Sequence, residues 1–206
     1  MRAFMVALWP TAIVLLGSYP AAAVAQEATE QNLTTVQVLG GAYFDSHVGP
    51  KVSSFNYAPI DFRIGRWFGC PWFDETLFRG NGEILIDLMA APVFSDYGSI
   101  VTGPSLLLRY NFTQPEQALV PYVQVGAGFV YNDAFRDREQ RAIGEGVEFL
   151  LQAGIGCRYV LNPHWTLDVE GGFQHISNAG LAGRNLGAND FGFGIGLTYY
   201  FSKGCW

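Results

Sequence analysis

The sequence predicts an all-β fold, an eight-stranded antiparallel transmembrane β-barrel, on three observations. From Thr34 onward apolar residues alternate with polar or small ones in eight segments of period two, separated by turn chemistry. Most of these segments are close to the roughly 9–11 residues that a tilted strand needs to cross the hydrocarbon. The composition is rich in Gly (25), Phe (16) and Tyr (10), with 15% charged residues, below the roughly 25% of an average soluble domain. Such a chain buries ample surface, which excludes disorder. At 206 residues it is one domain's worth. A net charge of −6 and a pI of about 4.9 argue against nucleic acid as a partner. A soluble β-sandwich shares this composition, so the patterning has to decide.

The first element is an address. Arg2 is followed by an apolar run from Ala3 to Leu16, then Gly17-Ser18-Tyr19-Pro20 and the small residues Ala21 to Ala25. Ala23-Val24-Ala25 is an A-x-A cleavage site, which places a cut before Gln26. Residues 1–25 therefore read as a signal peptide and 26–206 as the barrel, with Glu27 to Gln31 a short polar leader. The alternative, a helical anchor, needs a longer run. No later segment offers about 18 uninterrupted apolar residues, so membrane residence means a barrel.

The strands are expected at 34–44, 57–68, 82–93, 104–112, 120–131, 147–161, 164–177 and 189–201. The second sets Ala58, Ile60, Phe62 and Ile64 against Asp61 and Arg63. The third sets Ile84, Ile86 and Leu88 against Glu83, Leu85 and Asp87. The fourth sets Leu106, Leu108, Tyr110 and Phe112 against Arg109 and Asn111. The sixth opposes Phe149, Leu151, Ile155 and Tyr159 to Glu148, Gln152 and Arg158. The seventh opposes Trp165, Leu167, Val169 and Phe173 to Asp168, Glu170 and Gln174, and the eighth alternates Phe191 to Phe201 with glycines.

In a sandwich the apolar faces would meet as a core; in a membrane barrel they face lipid. The polar set carries both signs, as an ion-paired lumen should, and Asp168 and Glu170 belong to it. With a periplasmic N-terminus, Trp67, Trp72, Trp165 and Trp206 form a periplasmic girdle. Tyr43, Phe44, Tyr57, Phe94 and Tyr131 gather at the other end. Eight strands leave room only for side chains, which disfavours a porin and puts function in the loops or on the outer wall.

Cys70 is expected in a periplasmic turn, 69–81, and Cys205 just past the last strand, close enough for a disulfide in an oxidising periplasm. Both the bridged and the free state stay open. Cys157 has outward parity and reads as a free thiol. No Cys or His spacing resembles a metal cage, and His47 and His164 read as surface residues.

The informative stretch is Phe173-Gln174-His175-Ile176-Ser177-Asn178-Ala179-Gly180, followed by Asn185-Leu186-Gly187-Ala188-Asn189. His175 and Ser177 lie two apart on a strand and share the outward parity of Trp165 and Phe173. Asn189 opens the neighbouring strand with the parity of Phe191. Polar groups facing hydrocarbon are costly and need a reason. A serine nucleophile needs a base and a group that orients the base, roles that Ser177, His175 and Asn189 can fill. Asn178, Asn185 and the Gly180 amide can serve an oxyanion. The plain alternative is the interfacial end of a hairpin, with Asn-Ala-Gly as its turn. Spacing alone leaves both readings open.

His175-Ile176-Ser177-Asn178-Ala179-Gly180, with Asn185 and Gly187 downstream, resembles the lipid A 3-O-deacylase family of outer-membrane proteins, the PagL-like acyloxyacyl hydrolases, most strongly over residues 165–201. The resemblance implies an eight-stranded barrel with a Ser-His-Glu triad on its outer surface. It also implies release of the acyl chain ester-linked at the 3-position of lipid A. His175 becomes the base and Ser177 the nucleophile, with Asn178, Gly180 and Asn185 on the oxyanion side or shaping the site. One position departs: Asn189 stands where the family carries its triad Glu, and Asp190 beside it has inward parity.

The implied partner is lipid A or lipopolysaccharide in the outer leaflet, the implied location is the bacterial outer membrane, and no metal or organic cofactor is implied. A homodimer stays open. Two other readings remain, a non-catalytic barrel acting through its loops and an outer-membrane phospholipase. Arg136, Arg138 and Arg141 in loop 132–146 either contact lipopolysaccharide phosphates or are simply solvated.

Overall fold

The computed structural model describes residues 33–46, 54–115 and 117–201, with backbone alone at 69 and 70. Residues 1–25, the leader 27–31, His47, Cys205, Trp206 and any Cys70–Cys205 pairing lie outside the described residues.

Among these residues eight strands form one closed barrel. They are β1 (Thr34–Asp45), β2 (Ile60–Trp72), β3 (Gly80–Pro92), β4 (Ile100–Phe112), β5 (Leu119–Asn132), β6 (Val147–Asn162), β7 (Trp165–Ser177) and β8 (Ala188–Phe201). Each pairs antiparallel with its neighbour in sequence, and β8 closes on β1 from Thr34↔Phe201 to Asp45↔Asp190. The connections after Trp72, Phe112 and Asn162 leave from one end, and those after Asp45, Pro92, Asn132 and Ser177 from the other. The end with the shorter turns is the periplasmic one, and the longer loops are extracellular.

Several expected boundaries move: β4 begins at Ile100 rather than 104 and β3 at Gly80 rather than 82, other ends shift by about a residue, and β2 shifts at both ends. β2 begins at Ile60 rather than 57, because Pro59 lacks the N–H a ladder needs; Tyr57 makes only isolated bridges to Tyr43 and Val93. At its other end β2 runs on to Trp72 through a register shift after Phe68. Cys70 therefore belongs to the strand and not to the expected turn.

The alternation holds. Ile64, Ile86, Leu108, Val125, Leu151 and Ile195 lie on the outer wall, and Arg63, Glu83, Asp87, Arg109, Arg158 and Glu170 are buried inside. The interior charges form one lattice. Arg63 bonds Glu170 at 2.8 Å and reaches Asp61 and Asp87, each at 3.4 Å. Arg109 lies between Glu170 (3.5 Å) and Glu83 (3.6 Å), and Arg158 between Glu83 and Asp168, both at 3.1 Å. Tyr122 and Gln124 also donate to Glu170, at 3.0 and 2.8 Å. Burying an ion is costly, and such multiple pairing is what offsets it.

The lumen is not polar throughout. Toward the extracellular end many inward positions are apolar, and Phe55, Tyr57, Met89, Val101, Leu150 and Ile176 form a core under the loops, with Gln174 and Asp190 buried beside Tyr57. Tyr43 and Tyr57, expected in the outer aromatic band, belong to this core, their rings stacked 5.6 Å apart. Trp67, expected in the periplasmic girdle, is 1% exposed. It has the inward parity of Arg63 and packs against Leu33 and Tyr200 as a plug in the periplasmic mouth. Trp72 and Trp165 do face outward, as do Phe44, Phe94 and Tyr131 at the opposite end.

Candidate active site

The extracellular end of the β7–β8 hairpin places three polar side chains on the outer wall. His175 of β7 lies directly opposite Asn189 of β8. Its Nδ1–H donates to Asn189 Oδ1 at 2.8 Å, which fixes the tautomer and leaves Nε2 free to accept a proton. Asn189 is itself held, because its carbonyl accepts the Ser46 amide at 2.8 Å. Ser177 ends β7 on the same face, opposite Phe149 of β6, with Leu151 opposite His175. All three polar residues are half-buried, among the exposed side chains of Phe149, Leu151 and Phe191.

The backbone of Gly187 passes beside both the histidine and the serine. Its φ is +75°, and a Cβ built there would lie 2.9 Å from His175 Cε1 and 3.6 Å from Ser177 Cβ. Both side chains thus flank one point of the returning chain, and only glycine leaves that point open.

Asn178 organises the turn that follows. Its buried Oδ1 accepts the amides of Gly180 (3.0 Å) and Ala182 (3.5 Å), and its Nδ2 donates to Arg184 O at 2.8 Å. Its own amide donates to Asn185 Oδ1 at 2.8 Å. Ala179 and Gly180 adopt left-handed φ values of 54° and 82° inside this knot. The Gly180 amide, one of the expected oxyanion donors, is here bonded to Asn178. Asn178, Gly180 and Asn185 meet in one tight turn beside Ser177.

The nearby carboxylates go elsewhere. Asp190 points into the barrel, where the Tyr57 hydroxyl lies 3.4 Å away. Asp168 and Glu170 are partners of Arg158 and Arg63. His164 is on the periplasmic turn, with Nδ1 3.0 Å from Tyr200 O. Cys157 is a free thiol. Among the described residues no cluster of His, Cys, Asp and Glu is arranged to hold a metal. Two residues that touch this turn, Arg184 and Glu148, escape the sequence pattern. Glu148 has the inward parity of a lumen residue, and nothing marks Arg184 out from other loop arginines.

Fold and outer-wall site together define an integral outer-membrane β-barrel whose polar cluster faces lipid. Residues 56–198 match the family model of lipid A 3-O-deacylase (PagL). The chain belongs to the lipid A 3-O-deacylase (PagL) family. It is similar to the crystal structure of the outer-membrane enzyme PagL, at 18% identity and a TM-score of 0.48, covering 81% of this chain and 98% of that one. It is also similar to OprG of Pseudomonas aeruginosa (14% identity, 84% and 98% covered, TM-score 0.45). A third is Neisserial surface protein A (11% identity, 83% and 96% covered, TM-score 0.49). No curated protein matches significantly by sequence.

Proposed function

We propose that this barrel is a serine esterase that removes the 3-O-linked acyl chain of lipid A, with Ser177 as nucleophile and His175 as base. The observation that carries the reading is the His175–Asn189 hydrogen bond beside Ser177 on the lipid-facing rim. Lipid A occupies the outer leaflet, so an outward serine at the extracellular end meets the ester without the substrate leaving the membrane.

Ser177 Oγ attacks the ester carbonyl carbon while His175 Nε2 takes the hydroxyl proton. The C–O bond to the sugar then breaks, and the proton passes from His175 to the departing 3-oxygen. Water, deprotonated by His175, releases the fatty acid and restores Ser177. Asn189 holds the imidazole in its tautomer, and Asn185 Nδ2 is the candidate oxyanion donor, since the Gly180 amide is held by Asn178. No step calls on a metal or organic cofactor. Residues 1–25 act as the secretory signal and 26–206 as the mature barrel, which N-terminal sequencing of the exported protein tests.

One observation favours a second reading. Asn189 offers no charge to an imidazolium, and the amide for the acid in a serine protease costs about 10⁴ in rate. A non-catalytic member of the family would tolerate that. Mass spectrometry of lipid A incubated with the refolded protein, beside Ser177→Ala, tests both. Loss of one 3-hydroxyacyl chain with the wild type alone supports the esterase. Unchanged lipid A with a folded wild type refutes it, and cleavage of added phospholipid instead moves the substrate to glycerophospholipids.

A further inference from the structure

The turn beside Ser177 is fastened to a second loop. Arg184 donates from Nη1 to the carbonyls of Asp137 (2.6 Å) and Gln140 (3.2 Å), and from Nη2 to that of Phe135 (2.7 Å). All three belong to loop 133–146. Two backbone bonds join the same loops, Leu186 N to Arg141 O at 3.1 Å and Gly187 N to Ala142 O at 3.0 Å. At the root of loop 133–146, Glu148 Oε1 accepts the amides of Gly144 (2.8 Å) and Glu145 (2.9 Å) and lies 3.4 Å from Asn178 Nδ2. The joint is tight, since a Cβ on Gly144 would come within 2.1 Å of Arg184 O.

We propose that Arg184 is a positioning residue, which acts through loop 133–146 to hold Gly187 against His175 and Ser177. The inference rests on the esterase reading above. Its path is continuous: the guanidinium fixes the loop, the loop presents the Ala142 carbonyl, and that carbonyl holds the Gly187 amide. Gly187 in turn lies where even a methyl group would meet His175 Cε1 and Ser177 Cβ. A left-handed glycine without that anchor has many conformations open to it. The backbone beside imidazole and hydroxyl is then free to shift them, and rate falls steeply with misplacement. Arginine suits the task because its planar fork serves several carbonyls at once, whereas lysine's ammonium is a single flexible point.

The test uses the full refolded chain in detergent with lipid A, as wild type, Arg184→Met and Arg184→Lys. Arg184→Met is expected to lower kcat at least about tenfold with KM nearly unchanged, and Arg184→Lys to recover part of the loss. Amide exchange at Leu186 and Gly187 is expected to speed up in Arg184→Met while the strands keep their protection. A kcat within about twofold of wild type, or a loss confined to KM, overturns the proposal. A wild type inert on every lipid refutes the esterase reading instead. In that case unchanged exchange at Leu186 and Gly187 refutes the fastening as well, and faster exchange upholds it as a purely structural tie.

Discussion

His175 Nδ1 and Asn189 Oδ1 lie 2.8 Å apart, across a directly opposed pair of β7 and β8 residues. The amide orients the imidazole but contributes no charge when it becomes imidazolium. Asn189→Glu therefore restores a counter-ion and is expected to raise kcat at least about tenfold, with about 10⁴ as the ceiling set by a serine protease. Asn189→Leu, which removes the orienting bond, is expected to lower it. Lipid A deacylation followed by mass spectrometry reads both, and equal rates for wild type and Asn189→Glu would show that charge plays no part.

Gly187→Ala is expected to slow the reaction more than it destabilises the barrel. The φ of +75° strains any L-residue, and the new methyl would meet His175 Cε1 at 2.9 Å. The left-handed backbone costs about 1–2 kcal/mol, while displacement of the imidazole should cost roughly 10²-fold in rate. Comparison of urea midpoints with turnover separates the two effects.

Arg63 holds three carboxylates, with the bond to Glu170 at 2.8 Å. Arg63→Met leaves them facing one another in a closed interior. The expected loss is about 3–5 kcal/mol, the usual cost of stranding a buried charge, measured by urea unfolding in lipid vesicles. A double change that also removes Glu170 should cost less than the single one.

Asp133, in the extracellular loop after β5, gives an acid-side prediction. Burial pushes its carboxyl up, but hydrogen bonds from the Ser99 hydroxyl and from the amides of Ser99 and Ile100 outweigh that and hold it below the ordinary value. A depressed folded value adds stability above the unfolded one, about 3.9. That stability fades as pH falls through the folded value. Asp133→Asn should therefore loosen loop 93–99 to protease near neutral pH, and its difference from wild type should fade as the pH falls through the folded carboxyl's lowered value. The group is only partly buried, so the effect is small.

Much of this molecule is legible as parity. Counting by twos from Trp165 puts His175 and Ser177 on the outer wall, and counting from Phe191 puts Asn189 beside them, where the structure has them. The same counting places Trp67 with Asp61 and Arg63 inside. Residue type suggests a girdle for it, and the strand's alternation overrides type because every side chain must follow the pleat. Tyr43 and Tyr57 are inward because the extracellular loops form a roof with an apolar underside, which no strand pattern announces. The fastening by Arg184 depends on how two loops, distant in sequence, fold over each other. Neither loop has a period to read.

The plugged lumen has a kinetic consequence. Among the described residues Trp67 fills one mouth, the charge lattice the middle, and the aromatic core the other end. On the proposed esterase reading, lipid reaches Ser177 sideways, within the leaflet. For a reaction on that wall the governing variable is the mole fraction of substrate among neighbouring lipids, not its bulk molarity. Diluting lipid A with inert lipid at constant total concentration should slow turnover, while diluting the whole suspension should leave it untouched.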